Sequence, residues 1–396
     1  MLEKFFKNSI KLTKNINNKS DYIGYTCSYI PEEILISTGL KAIRIKGNNE
    51  SNLADKYLPT NFCPYVKAVW EEIHQESNKF KAVVLANSCD GIRRLRDLVN
   101  YYENNLPSFI LDIPKENSPK SIDFFTNRLK NLYGFIKQKS NNSFKNNSSL
   151  QSSVKKVNEK RKLLLELTNF YEKENKNLLN TFKYFNILNL SFSSDIDVFN
   201  YELGGYLDYI RNKESVPSKN PKPPNRPLKI MLVGNYINDN NLWEIFNNLN
   251  IKLIANDLCI SYRYFNIKID IDNLLDNNEW KNQQEVKQDK QKKQEDKILS
   301  AIAKSYILKP SCFRMLNLNE KVSQIKDQIS SNQIDGVIFI SLKFCDNALY
   351  FYPTLKLELN AINIPCLFLD LEYGKSSLGQ LKTRVEAFIE MLSFNY

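Results

Sequence analysis

The strongest constraint in this sequence is a pattern that recurs along the chain: a short apolar run stops at a cysteine, and a helix-starting signature follows. Asp335-Gly336-Val337-Ile338-Phe339-Ile340-Ser341-Leu342 runs into Lys343-Phe344-Cys345-Asp346, after which Asn347-Ala348-Leu349 begins a new pattern. Lys81-Ala82-Val83-Val84-Leu85-Ala86-Asn87-Ser88-Cys89-Asp90 does the same. So does Asp21-Tyr22-Ile23-Gly24-Tyr25-Thr26-Cys27, with Pro31-Glu32-Glu33 opening a helix behind it. Apolar runs of about four to eight residues, alternating with helical stretches, read as strands of parallel sheet. In open α/β sheets ligands collect at the carboxyl ends of strands, where loops lead into helix N-termini. Three cysteines on three such tips therefore point to one site assembled by the fold.

Taken in order, the residues up to about Asn18 read as a short helical lead-in. A first α/β domain spans residues 19–115, with strands ending at Cys27, at Ile45, at Ser88 and at Pro114, and helices after Pro31, Cys63 and Cys89. The helix after Pro31 is expected to reach Gly39. Residues 116–214 turn helical: Phe125, Leu129, Leu132 and Ile136 recur at three- and four-residue steps, an apolar helix face that reads as core. The Asn/Ser run Ser140–Ser153 interrupts this segment as a surface insertion. Residues 215–227 hold five prolines among Ser, Lys and Asn and read as a linker. A second α/β domain follows over residues 228–396, from the strand Leu228–Gly234 to a C-terminal helix carrying Leu381, Val385, Phe388 and Ile389. The Gln/Lys-rich run Asn282–Lys297 within it reads as a solvated helix or loop. The fold class is α/β with parallel sheets.

A chain of 396 residues is long enough for two or three cores, and 42% hydrophobic content supports them. No uninterrupted apolar stretch near Met1 resembles a secretory leader, and no run approaches the length needed to cross a bilayer. A cytoplasmic location without membrane contact is the expectation. The net charge of +11 invites an anionic partner. The lysines are nevertheless spread evenly, often beside Asn and Ile, rather than clustered on one face with aromatics, so nucleic acid is not expected.

Seven widely spaced cysteines in such a chain read as thiols, metal ligands or cluster ligands rather than a disulfide framework. The single histidine, His74, excludes a multi-histidine metal site and reads as a solvated helix residue. No two cysteines form a C-x-x-C knuckle, which argues against a zinc finger. Soft thiolates offered from separate loops suit an iron–sulfur cluster, and thiolates at helix N-termini are the easier ones to ionise. Spacing alone leaves open a scatter of buried core cysteines.

The local motifs add to this reading. Gly24-Tyr25-Thr26-Cys27-Ser28-Tyr29-Ile30-Pro31-Glu32-Glu33, Phe62-Cys63-Pro64-Tyr65, Ser88-Cys89-Asp90-Gly91-Ile92-Arg93-Arg94, Lys343-Phe344-Cys345-Asp346 and Gly379–Glu390 occur in that order. Together they resemble the 2-hydroxyacyl-CoA dehydratase D-component family, which includes the ATP-dependent benzoyl-CoA reductase subunits and the double-cubane cluster proteins. The resemblance implies two Rossmann-like parallel-sheet domains with an intervening helical segment. It matches Cys27, Cys89 and Cys345 to the three ligands of a [4Fe–4S] cluster whose open iron would bind a thioester carbonyl. Cys63, Cys259 and Cys312 match further cysteines of the double-cubane and benzoyl-CoA reductase branches, which leaves an [8Fe–9S] double-cubane cluster open. Cys366, inside a strand, reads as core.

The chemistry so implied is reductive. An ATP-dependent activator iron–sulfur protein delivers a low-potential electron, and an acyl-CoA thioester receives it as a ketyl radical. A homodimer, or a heterodimer with a related subunit, is expected. A double-cubane reductase of a small non-CoA substrate and a non-catalytic, cluster-carrying partner subunit are the alternatives. Asp90 and Asp346 read as helix caps, Arg93 and Arg94 as a solvated face or a contact for CoA phosphates, and Glu32 and Glu33 as partners of a helix dipole. No residue is singled out as catalytic.

Overall fold

The computed structural model describes residues 22–47, 53–140, 149–173, 178–214, 226–271, 287–372 and 378–394. The expected N-terminal lead-in, the centre of the Asn/Ser run and the proline-rich segment up to residue 225 lie outside these residues.

Two four-stranded sheets carry the fold. The first contains β1 (Tyr22–Tyr25), β2 (Lys41–Arg44), β3 (Phe80–Ala86) and β4 (Ser108–Leu111), in the order β2-β1-β3-β4. The second contains β5 (Leu228–Gly234), β6 (Ile251–Leu253), β7 (Gly336–Leu342) and β8 (Cys366–Leu371), in the order β6-β5-β7-β8. Every pairing within them is parallel. The topology is the same twice over: the chain starts in the middle, steps to one edge, then crosses to the other side. The strand order therefore reverses between β1 and β3 and again between β5 and β7, and at such points a crevice opens beyond the carboxyl ends. The α/β class with two Rossmann-like sheets is thus what the structure has.

The sequence explains the elements. All seven residues of β7 are buried, as a central parallel strand covered on both faces requires. The strands of the first sheet are connected through helices α1 (Glu32–Leu35), α2 (Pro64–Gln75) and α3 (Asp90–Tyr102). The helical segment is α4 (Pro119–Lys139), α5 (Leu150–Lys173), α6 (Thr181–Leu190) and α7 (Ile196–Glu214). Helix α4 starts where Pro119 takes the first position and the Ser118 hydroxyl accepts the Ser121 N–H at 3.2 Å. Its stripe Phe125, Leu129, Leu132 and Ile136 is fully buried. The second half adds α8 (Asn240–Asn247), α9 (Tyr262–Phe265), α10 (Lys287–Leu308), α11 (Leu318–Asn332), α12 (Asp346–Asn360) and α13 (Leu378–Phe394).

Some boundaries differ from the sequence reading. Helix α1 stops at Leu35, because Gly39, with φ 83°, turns the chain into β2 instead. The described part of the Gln/Lys run, from Lys287, is helical as one of the two readings had it and forms the first turns of α10, whose later residues Ile298, Leu299, Ile302, Ala303 and Tyr306 are buried. Strand β1 ends at Tyr25, so Cys27 lies in the loop beyond it.

Glu32 and Glu33 do stand in the first turn of α1, and both are buried, with partners from distant elements. Glu33 pairs with Arg161 at 2.8 Å and accepts the Tyr306 hydroxyl at 2.8 Å, while Arg161 also donates to Tyr306 at 2.8 Å. Glu32 accepts from Lys160, Tyr25 and Tyr264. The network joins β1 and α1 to the helical segment through α5 and to the second half through α9 and α10. A second set of staples runs from Arg314, which donates to the carbonyls of Ile113 at 3.0 Å and Pro114 at 3.2 Å.

Two outcomes follow for urea unfolding. Removing one partner of a buried pair costs far more than the pair contributes over an apolar replacement. Glu33→Ala should therefore lose about 3–5 kcal/mol by stranding Arg161, while Glu159→Ala on the exposed face of α5 should change stability by less than about 0.5 kcal/mol. Equal midpoints for the two variants would remove the network from this account. Gly234 faces the Ile340 backbone so closely that a Cβ would collide with its carbonyl. Gly234→Ala should prise β5 from β7 and cost about 1–3 kcal/mol; a wild-type midpoint would contradict that close approach.

Candidate functional site

Six of the seven cysteines lie beyond the carboxyl ends of the strands. Cys63, Cys89 and Cys345 occupy the N-cap positions of α2, α3 and α12. Each takes a place that Ser, Thr, Asp or Asn more often fills. Their sulfurs close no full capping hydrogen bond, yet backbone N–H groups of the first turn act on each. Val66 and Tyr65 serve Cys63, Ile92 and Gly91 serve Cys89, and Ala348 serves Cys345. These N–H groups and the positive helix ends favour the thiolate. Burial opposes them and prevails: Cys63 is pushed up to about 12 and Cys345 to about 11, and Cys89 is raised as well. Asn235, just past β5, donates its side-chain amide to Cys345 Sγ at 3.2 Å and accepts the Leu342 N–H at 3.3 Å.

The thiols influence one another electrostatically. Cys63 is close enough to interact electrostatically with Cys345 and Cys89. Cys312, in the loop between α10 and α11, interacts with Cys259, beyond β6, and with Cys27, beyond β1. Cys345 also feels Cys312, which links thiols from both sheets. Cys366 stands apart. It opens β8 opposite Val337, at the amino end of the sheet, packs against the core and is pushed up to about 12 by burial.

Buried cations surround the group of Cys27, Cys259 and Cys312. Arg263 pairs with Asp257 at 3.4 Å and donates to the carbonyls of Gly234 and Asp257, which fixes the Cys259 loop to the tip of β5. Lys321 also binds Asp257, at 2.6 Å. Lys309 donates to the Ser28 carbonyl at 2.7 Å; burial pushes it down to about 7, against the pull of Cys27. Arg44, at the end of β2, lies between the rings of Phe192 and Tyr236, with its charge centre 5.3 Å and 4.1 Å from their centroids. The Tyr65 hydroxyl donates to the Thr26 carbonyl at 2.9 Å and clamps the Cys27 loop to α2.

The site also holds polar atoms that no described residue satisfies: Thr26 Oγ1, Ser311 Oγ, the Tyr236 hydroxyl, Arg44 Nε and Nη1, and Arg314 Nε. Thr26 and Ser311 each immediately precede a cysteine. Buried donors without acceptors are costly, and here they crowd around thiols beside buried positive charge. An anionic group carrying several sulfur-ligated metal atoms fits that donor set. Among the described residues no three His, Cys, Asp or Glu side chains converge as ligands of one metal ion.

Other candidates fall elsewhere. Asp90 and Asp346 are the first helical residues after their cysteines rather than caps. Arg93 donates to Asn87 at 2.7 Å and Arg94 pairs with exposed Asp97 at 2.9 Å, both on the outer face of α3. His74 is not a solvated helix residue. It stacks on Trp70 and bonds Glu103 through Nδ1 at 2.6 Å, which ties the far ends of α2 and α3. Sequence reasoning missed Arg44, Asn235, Arg263 and Lys309, since nothing in their neighbours marks them.

The chain matches a family described as 2-hydroxyglutaryl-CoA dehydratase, D-component, over residues 27–392. It is 19% identical over 374 residues to the (R)-phenyllactyl-CoA dehydratase beta subunit of Clostridium sporogenes, covering 93% of this chain and 91% of that one. It is 21% identical over 379 residues to the lactoyl-CoA dehydratase subunit beta of Anaerotignum propionicum, again covering 93% and 91%. No helix among the described residues is long and apolar enough to cross a membrane. With the match running from the first candidate cysteine almost to the end of the last helix, the chain belongs to the 2-hydroxyglutaryl-CoA dehydratase D-component family.

Proposed function

We propose that this dehydratase-type chain is an iron–sulfur component that accepts a low-potential electron from an ATP-dependent activator and passes it to an acyl-CoA thioester, working beside a related subunit. The observation that carries the reading is the convergence of six unpaired thiols from the tips of both sheets, amid buried cations and unsatisfied donors. The two relatives are named as beta subunits of CoA-thioester dehydratases, which supports both the substrate class and a partner subunit. When bound, an iron–sulfur cluster supplies one-electron transfer at low potential.

The residues of this chain have definable tasks. Cys27, Cys89 and Cys345 hold a [4Fe–4S] cluster in the reading that the resemblance implies. Asn235 orients Cys345, Lys309 and Tyr65 hold the Cys27 loop, and Arg263 holds the Cys259 loop. The apolar packing beneath the loops keeps water from the sulfurs, which sharpens every charge interaction there. A second reading is favoured by one observation, that six free thiols rather than three lie at the loops of the two sheets. All six would then carry an [8Fe–9S] double-cubane cluster, and the substrate would be a small molecule without coenzyme A.

Iron and acid-labile sulfide, measured with EPR on anaerobically purified protein, test both. About four irons, unchanged in Cys63→Ala and Cys312→Ala, support the three-thiol cluster, and about eight irons, lost or halved in those variants, support the six-thiol one. Cys366→Ser should keep the wild-type iron content in either case. A wild-type protein that binds no iron under reconstitution overturns the iron–sulfur reading.

A further inference from the structure

Two cavities lie outside the cysteine loops, and their lysines differ. The first, of about 430 Å3, is lined by the amino ends of β1 and β2, by α5 and by the residues leading into α7. Every lysine in it has a carboxylate partner: Lys41 pairs with Asp195 at 3.2 Å, Lys156 with Asp197 at 2.6 Å, and Lys160 with Glu32. That cavity has no cation to spare for a ligand. The second, of about 600 Å3, is a groove along one face of α10, within the range of roughly 300–1,000 Å3 common to small-molecule sites. Its lysines at positions 268, 297 and 304 are exposed, and no carboxylate among the described residues pairs with any of them. Asp270 is the one acid among the described lining residues, so positive charge prevails.

The groove is also graded along its length. Lys297, Ser300, Lys304 and Leu308 succeed one another at three- and four-residue steps, which puts them on a single helix face. Over that stretch the helix rises about 16 Å. Both lysines precede Leu308, an apolar side chain that is nevertheless 53% exposed. The next residue, Lys309, lines the same groove but is buried, and it donates to the Ser28 carbonyl at 2.7 Å. Ser28 directly follows Cys27. The groove thus leads from unpaired surface charge, past an apolar side chain, to the backbone of a candidate cysteine loop.

A coenzyme A thioester is built in the same order. A phosphorylated adenosine and a pyrophosphate come first, then an uncharged pantetheine arm, then the thioester at its tip. Lysine ammonium groups suit phosphate oxygens as mobile point charges, and Ser300 and Ser305 add hydroxyl donors beside them. We propose that this groove binds the coenzyme A part of the substrate, with Lys268, Lys297 and Lys304 on its phosphates and Leu308 against the pantetheine arm, so that the thioester points toward the Cys27 loop. This rests on the acyl-CoA part of the proposed function and requires no particular number of irons. A free nucleotide would satisfy the lysines and leave Leu308 uncovered, so the arm separates the two ligands.

The test is anaerobic titration calorimetry of the full chain with acetyl-CoA, which carries the thioester but no 2-hydroxyl group to lose, and with ADP. Lys297→Gln combined with Lys304→Gln should weaken acetyl-CoA binding about tenfold or more, the loss expected when charge-assisted contacts are removed. Lys268→Gln, on a separate segment, should act in the same direction and serves as the test if the double variant does not fold. Leu308→Ser should weaken acetyl-CoA about fivefold through lost apolar burial and leave ADP unchanged. Lys162→Gln, on the exposed face of α5, should bind as wild type does. Equal acetyl-CoA affinity in the wild type and the lysine variants overturns the proposal and leaves the acyl-CoA reading standing. ADP binding as tightly as acetyl-CoA to the wild type overturns it too, since the arm then contributes nothing. A wild type that takes iron but binds no acetyl-CoA overturns both the groove and the acyl-CoA substrate class, with the iron–sulfur reading intact.

Discussion

Parallel strand pairing is the constraint on which the rest of this structure depends. A parallel pair cannot be closed by a hairpin, so the chain must leave each strand at its carboxyl end and return by a crossover, here mostly helical. That brings strand tips and helix N-termini together on one edge of each sheet. A cysteine written just after a strand thereby becomes a helix N-cap, as Cys89 and Cys345 do. The same topology occurs twice, so two such edges exist. Pointed at each other, they give a chamber lined from both halves of the chain.

Holding the edges in that relation requires polar contacts that apolar packing alone would not specify. Hydrophobic contact between the halves tolerates sliding, whereas an ion pair with defined geometry does not. The Glu33–Arg161–Tyr306 and Glu32–Lys160 contacts fix β1 and α1 against α5, α9 and α10. Arg314 and Lys309 do the same at the loops themselves, by donating to backbone carbonyls across the divide. Such buried charges add little net stability over apolar replacements. Their consequence here is register: the Cys27, Cys89 and Cys345 loops each have a side chain from a distant element holding the backbone or the sulfur.

The sequence made some of this legible. Apolar runs that stop at Cys27, Cys89 and Cys345 announced parallel strands and a site at their tips, and the step of Phe125, Leu129, Leu132 and Ile136 announced the buried face of α4. Those signals are local, because a strand or an amphipathic helix is encoded within one window. The roles of Glu32 and Glu33 were not legible, since their partners lie in α5 and α10, far along the chain, and an acid after Pro31 looks the same whether it meets water or Arg161. Arg44 and Asn235 were hidden for the same reason. The grouping of the cysteines depends on how two sheets face each other, which no window contains.

Backbone conformation adds a further step. Among the described residues, four that are not glycine have left-handed φ values. Gln333 is the C-cap of α11 and Asn363 lies in the turn after α12, places where that conformation ends a helix. Ala255 and Phe344 are not helix ends. Ala255 lies four residues before Cys259, with its N–H held by Glu172 at 2.9 Å, and Phe344 immediately precedes Cys345. An alanine or a phenylalanine adopts φ near +55° at a cost of order 1 kcal/mol or more, and persists there only when its surroundings over-determine it. Both strained residues precede candidate cysteines in the second half. Strain so placed fixes the backbone ahead of each cysteine, and with it the direction in which the sulfur leaves.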